Sequence, residues 1–479
     1  MPISRRDLLR LGGAGVAGAT LAGCQTAPPG NPGGGLVDSS DPRIAQVETA
    51  RARSGASVAA SLRAAPTTVD LGGVLARTWA YDDQVPGPLL RAGAGDELAI
   101  SLTNDLPDPT TIHWHGLRLR NDMDGVPEMT QDAIAPGTTF DYSFVAPDPG
   151  TYFYHSHVGL QLDKGLAGVL IVDDPDEPGD YDAEWVIVLD DWADGIDGAT
   201  PESILQELQQ SSGGMMGDGM EVTYPHYLVN GRLPADAETF SAEPGQRLRL
   251  RIINAAADTT FRCALSEHHL ELTHKDGVPV RPVQADAVIV SMGERYDAVV
   301  TVGDGAFAFI AAPEDKAGLA LAILRTSAQA QVPPATRDYP EMSGEVFFGS
   351  HLTGVDVPGY SVEDDPEVTI DLTLGVARGA YTWLINDVTF DQANPFIVEQ
   401  GQTFRVRMRN ATHALHPMHL HGHTVQLEEG RSWQDTILVP NMATVTAVAV
   451  ADNPGKWAMH CHNAFHMEAG MMGTLGYQA

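Results

Sequence analysis

The chain is poor in basic residues. Lys and Arg number 29 against 63 Asp and Glu, which gives a formal net charge of −34 at pH 7 over 479 residues. A surface of this charge repels nucleic acid and anionic membranes, so a phosphate-binding function is excluded. The charge names no partner by itself, because acidic surfaces are also common on ordinary soluble proteins.

Cysteine is also scarce, with three residues in the whole chain. Cys24 lies in the N-terminal segment, which leaves Cys263 and Cys461 for the body of the chain. These two could pair in principle, since exported proteins often form disulfides. The motif around Cys461 indicates another role for its thiol, so we expect no disulfide.

The apolar run nearest the N-terminus is too short to span a bilayer. "SRRDLLR" (Ser4–Arg10) is a twin-arginine pattern, and a Gly/Ala-rich run follows it to Gly23. We interpret residues 1–23 as a twin-arginine signal peptide, which predicts a periplasmic or other extracytoplasmic location.

The end of this signal resembles a lipoprotein signal. "LAGC" (Leu21–Cys24) would make Cys24 the acceptor of a lipid that anchors the protein to a membrane. Ordinary cleavage nearby is the alternative. The tract "QTAPPGNPGGG" follows Cys24, and we predict a flexible N-terminal tether over residues 24–54.

The rest of the chain contains an internal repeat. Frequent Gly and Pro separate short Val, Ile and Leu runs, which favours sheets. Half-buried strands running from Gly to Asn are predicted three times, at residues 95–104, 245–254 and 401–410. A later segment also recurs, from Gly150, Gly305 and Gly455. We therefore predict three domains, at residues 55–178, 179–330 and 345–479.

Histidine pairs recur at matching positions of the first and third copies. Each has the form His-x-His, and the four pairs are His113 and His115, His155 and His157, His419 and His421, and His460 and His462. The middle copy has lost them and carries Cys263, Leu265, Ile310 and Ala312. A structural histidine need not recur in this way, whereas a metal site built between the first and third copies would.

Strand geometry explains what such pairs can do. Residues i and i+2 of an extended strand point to the same face, about 6.6 Å apart. Four such strands deliver eight imidazoles, enough for a cluster of several metal ions. Neutral imidazole suits copper, zinc, iron or nickel. A single His-x-His is more often incidental, so the prediction depends on the whole set.

Cys461 lies between two of these histidines and therefore faces the other side of its strand. With His416 and His466 it makes a His₂Cys set, and Met471 is the candidate weak axial ligand. This set is typical of a blue-copper electron-transfer centre. A zinc site would have no use for a thiolate placed between cluster ligands as an electron route, because zinc has no redox chemistry.

From about residue 68 to its C-terminus the chain resembles the three-domain multicopper oxidases of the laccase and copper-resistance oxidase family, through "HWH", "HSH", "HPMHLH" and "HCHNAFH". The resemblance implies an all-β fold of three consecutive cupredoxin-like Greek-key β-sandwich domains, and four copper ions. It implies type 2 copper at His113 and His419. The type 3 pair would be held by His115, His155, His157, His421, His460 and His462. Type 1 copper would be held by His416, Cys461 and His466, with Met471 axial.

The resemblance also implies an oxidase. Type 1 copper would take single electrons from substrate at the exposed edge of His466 or His416. Cys461 would pass these electrons to the cluster, where dioxygen becomes two waters. The waters need protons, so acidic residues near the cluster are expected.

Two acidic residues are candidates for supplying those protons. Asp124 matches a family position near the cluster, although an Asp before Gly125 also suits a turn. A second acid of the family is replaced here by Ala464 or Met467, and Glu468 is the nearest acid in the sequence.

The reducing substrate is less clearly indicated. Family members oxidise phenols, aromatic amines or cuprous ions. Met215, Met216 and Met220 lie in a Gly-rich loop, and thioethers favour Cu(I), although incidental methionines on a surface loop are the alternative. "HMEAGMM" (His466–Met472) resembles copper-resistance oxidases more than fungal laccases. We favour the cuprous ion and keep small phenolic compounds as the alternative.

Two other functions fit parts of the pattern. A copper nitrite reductase also has a blue site, but it binds its other copper with three histidines between subunits. Four complete His-x-His pairs in one chain argue against it. A non-catalytic structural cupredoxin should have lost ligands, and none is missing here.

Overall fold

The structure is a computed structural model that describes residues 35–177, 180–211, 221–362 and 365–479. The predicted signal peptide, the lipid acceptor Cys24 and the loop methionines Met215, Met216 and Met220 lie outside these residues. Within the described ranges, no helix is both long and apolar enough to cross a membrane.

The first repeat folds into two four-stranded sheets. Its strands are β1 (Ser57–Asp70), β2 (Leu75–Tyr81), β3 (Gly87–Gly93), β4 (Glu97–Asn104), β5 (His113–His115), β6 (Thr139–Val145), β7 (Gly150–His155) and β8 (Ala167–Asp173). The sheet orders are β2-β1-β4-β6 and β3-β8-β7-β5. Buried side chains of both sheets, among them Leu98, Trp114, Tyr142 and Leu170, form one core between them.

The second repeat folds into two six-stranded sheets. Its strands are β9 (Ala183–Trp192), β10 (His226–Val229), β11 (Thr239–Ser241), β12 (Arg247–Asn254), β13 (Phe261–Leu265), β14 (Leu270–Lys275), β15 (Val278–Ala285), β16 (Ala287–Val290), β17 (Arg295–Thr301), β18 (Ala306–Pro313), β19 (Ala320–Arg325) and β20 (Val346–Phe347). The sheet orders are β10-β9-β12-β17-β14-β15 and β11-β19-β18-β13-β16-β20.

The third repeat has a six-stranded and a five-stranded sheet. Its strands are β21 (Val368–Val376), β22 (Trp383–Ile385), β23 (Phe396–Val398), β24 (Thr403–Asn410), β25 (His416–Leu420), β26 (Val425–Leu427), β27 (Trp433–Gln434), β28 (Thr436–Val439), β29 (Thr444–Val450), β30 (Lys456–Cys461) and β31 (Met472–Tyr477). The sheet orders are β22-β21-β24-β29-β26-β27 and β23-β31-β30-β25-β28.

The asparagines that end the three predicted Gly-to-Asn strands have one structural role. Asn104, Asn254 and Asn410 are buried, and each side-chain amide donates to a main-chain carbonyl 29 to 36 residues further along, at 2.8, 2.8 and 3.2 Å. A buried amide needs such a partner, so the sequence repeat follows a repeated packing requirement. The prediction of an all-β chain of three consecutive β-sandwiches is confirmed.

Helices are few and short in the described part of the chain. The α-helices are α1 (Pro42–Ala50), α2 (Pro201–Ser211) and α3 (Ala464–Glu468). Short 3₁₀ helices cover Asn121–Met123, Gln161–Lys164, Pro234–Asp236, Pro340–Ser343, Gly349–His351 and Phe390–Gln392.

The prediction of a flexible tether over residues 24–54 is wrong from Leu36 onwards. Leu36 forms a β-bridge with Gln478, and helix α1 begins at Pro42 after its N-cap, Asp41. The helix is held by Glu48, whose carboxylate accepts the Val145 N–H at 2.8 Å. These tertiary contacts, which no local pattern signals, order the segment.

The boundary predicted at residue 345 also differs from the structure. Strand β20 lies beyond it, yet β20 pairs in parallel with β16 and so completes a sheet of the second repeat. The sheets of the third repeat begin only at β21.

Candidate metal centres

Two strand pairs bring the histidine motifs together. In the first repeat β5 and β7 are antiparallel neighbours, with His113 opposite His155. In the third repeat β25 and β30 pair in the same way, with His419 opposite His460 and Met418 opposite Cys461. Opposite residues of an antiparallel pair lie about 5 Å apart at their Cα atoms, so each repeat contributes four imidazoles at one place.

The eight imidazoles form three groups in which the ligand atoms lie within 4.8 Å of one another, and His115 belongs to two of them. The groups are His113, His115 and His419, then His115, His155 and His462, then His157, His421 and His460. All eight side chains are buried, and every group mixes the first and third repeats.

The nitrogens facing the centre of this cluster fit metal ions. Among the described residues, Nε2 of His113, His155 and His419 and Nδ1 of His115 are buried without a hydrogen-bond partner. Nε2 of His460 lies 2.9 Å from Nε2 of His421 and 3.3 Å from Nε2 of His157. Buried polar atoms without partners are costly, and bound metal ions would remove that cost.

The opposite ring nitrogens are held by hydrogen bonds. Nδ1 of His113, His155, His419 and His460 each donates to a main-chain carbonyl at 2.9 to 3.0 Å. A carbonyl can only accept, so these bonds place the proton on Nδ1 and leave Nε2 with a free lone pair. Such outer contacts orient metal-binding imidazoles.

Burial also favours the neutral form of four of these imidazoles, which is the form that binds metal. It lowers the pKa of His460 to about 3 and holds the pKa of His155, His157 and His462 well below the ordinary value. Neighbouring imidazoles add to the effect, because a second positive charge in the cluster would be repelled.

Asp124 bridges two of the cluster imidazoles. It is buried, and Oδ2 accepts from Nδ1 of His421 at 2.9 Å while Oδ1 lies 3.2 Å from Nδ1 of His113. The following residue, Gly125, has a φ of +81°, and a Cβ there would collide with the Ile112 carbonyl. Asp124 therefore ends a turn and also contacts cluster histidines.

Asp435 is a cluster contact that the sequence reasoning missed. Its Oδ1 lies 3.3 Å from Nε2 of His115, and its carboxylate receives two 2.7 Å hydrogen bonds from Arg295 of the middle repeat. Burial alone would raise the pKa of Asp435, but the Arg295 guanidinium lowers it well below its ordinary value. Asp435 lies outside the motifs used to align the repeats, so the sequence reasoning did not reach it.

Glu468 is not brought to the cluster. It ends helix α3 with an exposed side chain. Burial of part of this side chain and the nearby Glu202 raise its pKa.

The second centre lies around the thiol of Cys461, on the other side of strand β30. Sγ is 3.6 Å from Nδ1 of His416 and 3.7 Å from Nδ1 of His466, and these two nitrogens are 3.2 Å apart. Met471 is buried, and its main chain bonds to Cys461 and His466 at 3.1 and 2.9 Å. Trp383 stacks on the His466 ring with centroids 3.8 Å apart.

Three family models, each described as "Multicopper oxidase", match residues 64–177, 183–329 and 362–478. The chain is 44% identical to "Multicopper oxidase MmcO" of Mycobacterium tuberculosis, over 99% of this chain and 96% of that protein. The chain belongs to the multicopper oxidase family. It is therefore an oxidoreductase with four copper ions as cofactors.

More distant multicopper oxidases extend this likeness. "Copper resistance protein A" of Escherichia coli is 28% identical over 85% of this chain and 90% of its own length. The crystal structure of a laccase from Botrytis aclada superposes with a TM-score of 0.75, at 26% identity, over 90% of this chain and 89% of that one. The cupredoxin-like character of the three sandwiches is thereby confirmed, and a nitrite reductase or a structural cupredoxin finds no support.

A small acidic cavity lies against the multicopper oxidase's second centre. Its volume is about 20 Å³, and its wall includes His466, Met292 and the charged residues Glu221, Asp258, Glu314, Asp315 and Lys316. The expectation that His466 or His416 presents an exposed edge is wrong, since they are 2% and 0% exposed. Trp383 of the third repeat packs against both rings, and residues of the second repeat line the cavity beside His466.

Proposed function

We propose that this protein is an exported oxidase that takes single electrons from Cu(I) and uses four of them to reduce dioxygen to two waters. The cavity beside His466 is the observation that favours Cu(I) as the substrate. At about 20 Å³ it holds an ion or one water molecule, whereas a cavity of about 150 Å³ is known to bind benzene. The carboxylates attract a cation, and a thioether suits the soft cuprous ion.

We assign His416, Cys461 and His466, with Met471 beside them, to type 1 copper, and His113 and His419 to type 2 copper. The type 3 pair falls to His115, His155 and His462 and to His157, His421 and His460. When bound, copper supplies the one-electron steps of the reaction.

Cys461 connects the two centres. Its thiol faces His416 and His466, while its main-chain carbonyl accepts a hydrogen bond from Nδ1 of His460 at 2.9 Å. The path between the centres is therefore short and formed by one strand.

Asp124 is our candidate for delivering protons to the cluster. It lies against His421 and His113 in a buried position, where a carboxyl group can hand a proton towards reduced oxygen while it orients both rings. Glu468, whose side chain is exposed, is not assigned this role.

Steady-state kinetics of the copper-loaded protein test the choice of substrate. We expect a higher kcat/KM for Cu(I) than for 2,6-dimethoxyphenol, with one dioxygen consumed per four Cu(I). A kcat/KM for the phenol that is higher by orders of magnitude would mean that the protein is a laccase.

The methionine loop is a candidate entry route for Cu(I). Met220 precedes Glu221, a residue of the cavity wall. Replacing Met215, Met216 and Met220 by Leu should raise KM for Cu(I) and leave oxidation of the phenol unchanged. Met442→Leu, at an exposed methionine elsewhere, is the matched control. An unchanged KM for Cu(I) in the triple variant would contradict this route.

Export by the twin-arginine route and lipid attachment at Cys24 are separate proposals. Replacing Arg5 and Arg6 by Lys should leave the protein in the cytoplasm, whereas Arg10→Lys should not. Cys24→Ser should move the exported protein from the membrane to the soluble fraction. Cys24→Ser protein that stays in the membrane fraction would contradict lipid attachment.

A further inference from the structure

Lys316 matches His466 in sequence spacing, since each follows by eleven residues the glycine that begins its segment, Gly305 or Gly455. The middle repeat has thus replaced a candidate copper ligand by a cation. Both residues line the same cavity, one from each repeat.

The ammonium group of Lys316 is held by Asp258. Nζ lies 2.6 Å from Oδ2 of Asp258 and donates to the main-chain oxygen of the same residue at 2.9 Å. The Lys316 side chain is 9% exposed and that of Asp258 is fully buried. The carboxylates of Asp258, Asp191 and Glu221 raise the pKa of Lys316 against the opposing effect of burial, so the ammonium is charged at neutral pH.

Asp258 leads directly to helix α3, which carries His466. Its Oδ1 accepts from Nδ2 of Asn463 at 2.5 Å, and Asn463 caps α3 by accepting the His466 N–H at 3.1 Å. The ion pair is therefore linked through Asn463 to the helix that carries the candidate copper ligand His466, and both lie in the wall of the same cavity. Among the other cavity carboxylates, Glu314 is already paired with Arg262, at 2.8 Å.

We propose that Lys316 is a specificity-determining residue, whose ammonium occupies the Asp258 carboxylate and so sets how strongly the cavity admits a cationic reductant. The proposal rests on the proposed function in that Cu(I) is the cation concerned. Two positive charges in one small cavity repel each other, and the Asp258 carboxylate cannot serve both fully.

The same charge acts on the type 1 centre. A fixed positive charge beside His466 favours the copper state with fewer positive charges, which is the reduced one. Removing the charge should therefore lower the reduction potential of type 1 copper. This effect does not depend on which reductant the enzyme uses.

The experiment compares Lys316→Met, Lys316→Arg and the wild type, all copper-loaded. Lys316→Met should lower KM for Cu(I) by roughly tenfold, as loss of about 1.4 kcal/mol of repulsion predicts. KM for neutral hydroquinone should stay unchanged. The reduction potential of type 1 copper should fall, as measured by a redox titration followed at the absorption band near 600 nm. Lys316→Arg keeps the charge and should restore both values.

Arg232→Gln is the control for loss of one positive charge, since Arg232 forms an exposed ion pair with Asp236. Arg232→Gln should change neither KM for Cu(I) nor the reduction potential of type 1 copper. An unchanged reduction potential in Lys316→Met would overturn the proposal. Loss of copper from both Lys316→Met and Lys316→Gln would also overturn it, because the ion pair would then have only a structural role. If wild-type protein does not oxidise Cu(I), the proposed function fails while the shift in potential still tests Lys316.

Discussion

At the scale of the residue, one thiol belongs to the second centre while its neighbours belong to the cluster. Cys461→Ser keeps the size of the side chain but removes the soft sulfur ligand. We expect one copper fewer per chain, no absorption near 600 nm and no turnover. Cys263→Ala is the matched control, because Cys263 is also a buried free thiol but lies opposite Val288 and Ala311 on the neighbouring strands. A blue Cys461→Ser protein would contradict the assignment.

Asp124 is tested by a change of charge at constant shape. Asp124→Asn can still accept a hydrogen bond from His421 but cannot deliver a proton. We expect dioxygen uptake to fall by about 10²-fold or more, the range of general acid–base catalysis. The absorption near 600 nm should remain, because Asp124 is no part of the Cys461 centre. Uptake equal to wild type, measured with an oxygen electrode, would leave Asp124 with only its role in the turn.

His416 makes the apoprotein sensitive to acid. Burial lowers the pKa of His416 from the ordinary 6.5 to about 3. As the pH falls, His416 is therefore protonated in the unfolded chain before it is protonated in the folded one. The stability tied to neutral His416 is therefore present above pH 6.5 and is lost between pH 6.5 and 3. At pH 5 the loss is about 2 kcal/mol.

Urea unfolding of the copper-free protein measures this loss. The comparison is between wild type and His416→Gln, at pH 7.5 and pH 5, so that titration of distant groups cancels and the difference reports His416 together with His466, whose pKa it lowers. On going from pH 7.5 to pH 5, the free energy of unfolding should fall by about 2 kcal/mol more in the wild type than in the variant. A difference that stays constant with pH would contradict the prediction.

At the scale of the element, the sequence predicted those parts of the site that depend on strand period. Two residues at i and i+2 on a strand point to the same face, so the direction of their side chains could be predicted. The repeat alignment predicted that strands of the first and third repeats meet. Cys461 and its flanking histidines were predictable for this reason. Asp435, Arg295 and Lys316 were not, because they reach the centres through packing between repeats.

Helix α1 shows the same limit outside the site. It follows a Gly/Pro-rich tract, and that tract alone suggested a tether. Glu48 fixes it by a tertiary contact with the Val145 N–H at 2.8 Å, and it also forms a local ion pair with Arg51 at 2.9 Å. Glu48→Ala should lower the free energy of unfolding by about 2–3 kcal/mol, because Val145 and Arg51 lose a charged partner.

Urea denaturation of the copper-loaded protein checks this value. Thr49→Ala is the control on the same helix, since Thr49 is exposed and bonds only within α1. It should change stability by less than about 0.5 kcal/mol. Equal effects of the two substitutions would mean that α1 contributes little to the fold.

At the scale of the whole molecule, the described part of the middle repeat gives no histidine to either centre but supplies a residue that contacts both other repeats. Arg295, at the start of β17, donates to the main-chain oxygen of Thr151 in the first repeat at 3.0 Å. It also makes two 2.7 Å bonds to Asp435 of the third repeat. Asp435 in turn holds His419, whose Nδ1 donates to its main-chain oxygen at 3.0 Å.

Arg295→Lys should therefore loosen the cluster across a domain boundary. Lysine keeps the charge but cannot reproduce the two parallel hydrogen bonds of the guanidinium group. We expect partial loss of copper, with weakening of the type 2 signal in electron paramagnetic resonance, while the absorption near 600 nm remains. Arg249→Lys is the matched control, because Arg249 is equally buried but pairs with Asp297 and Glu177, outside the third repeat. If both variants keep their copper and their type 2 signal, the middle repeat acts on the cluster only as a spacer; if Arg295→Lys alone loses them, the copper-free domain is part of the machinery that holds the metal.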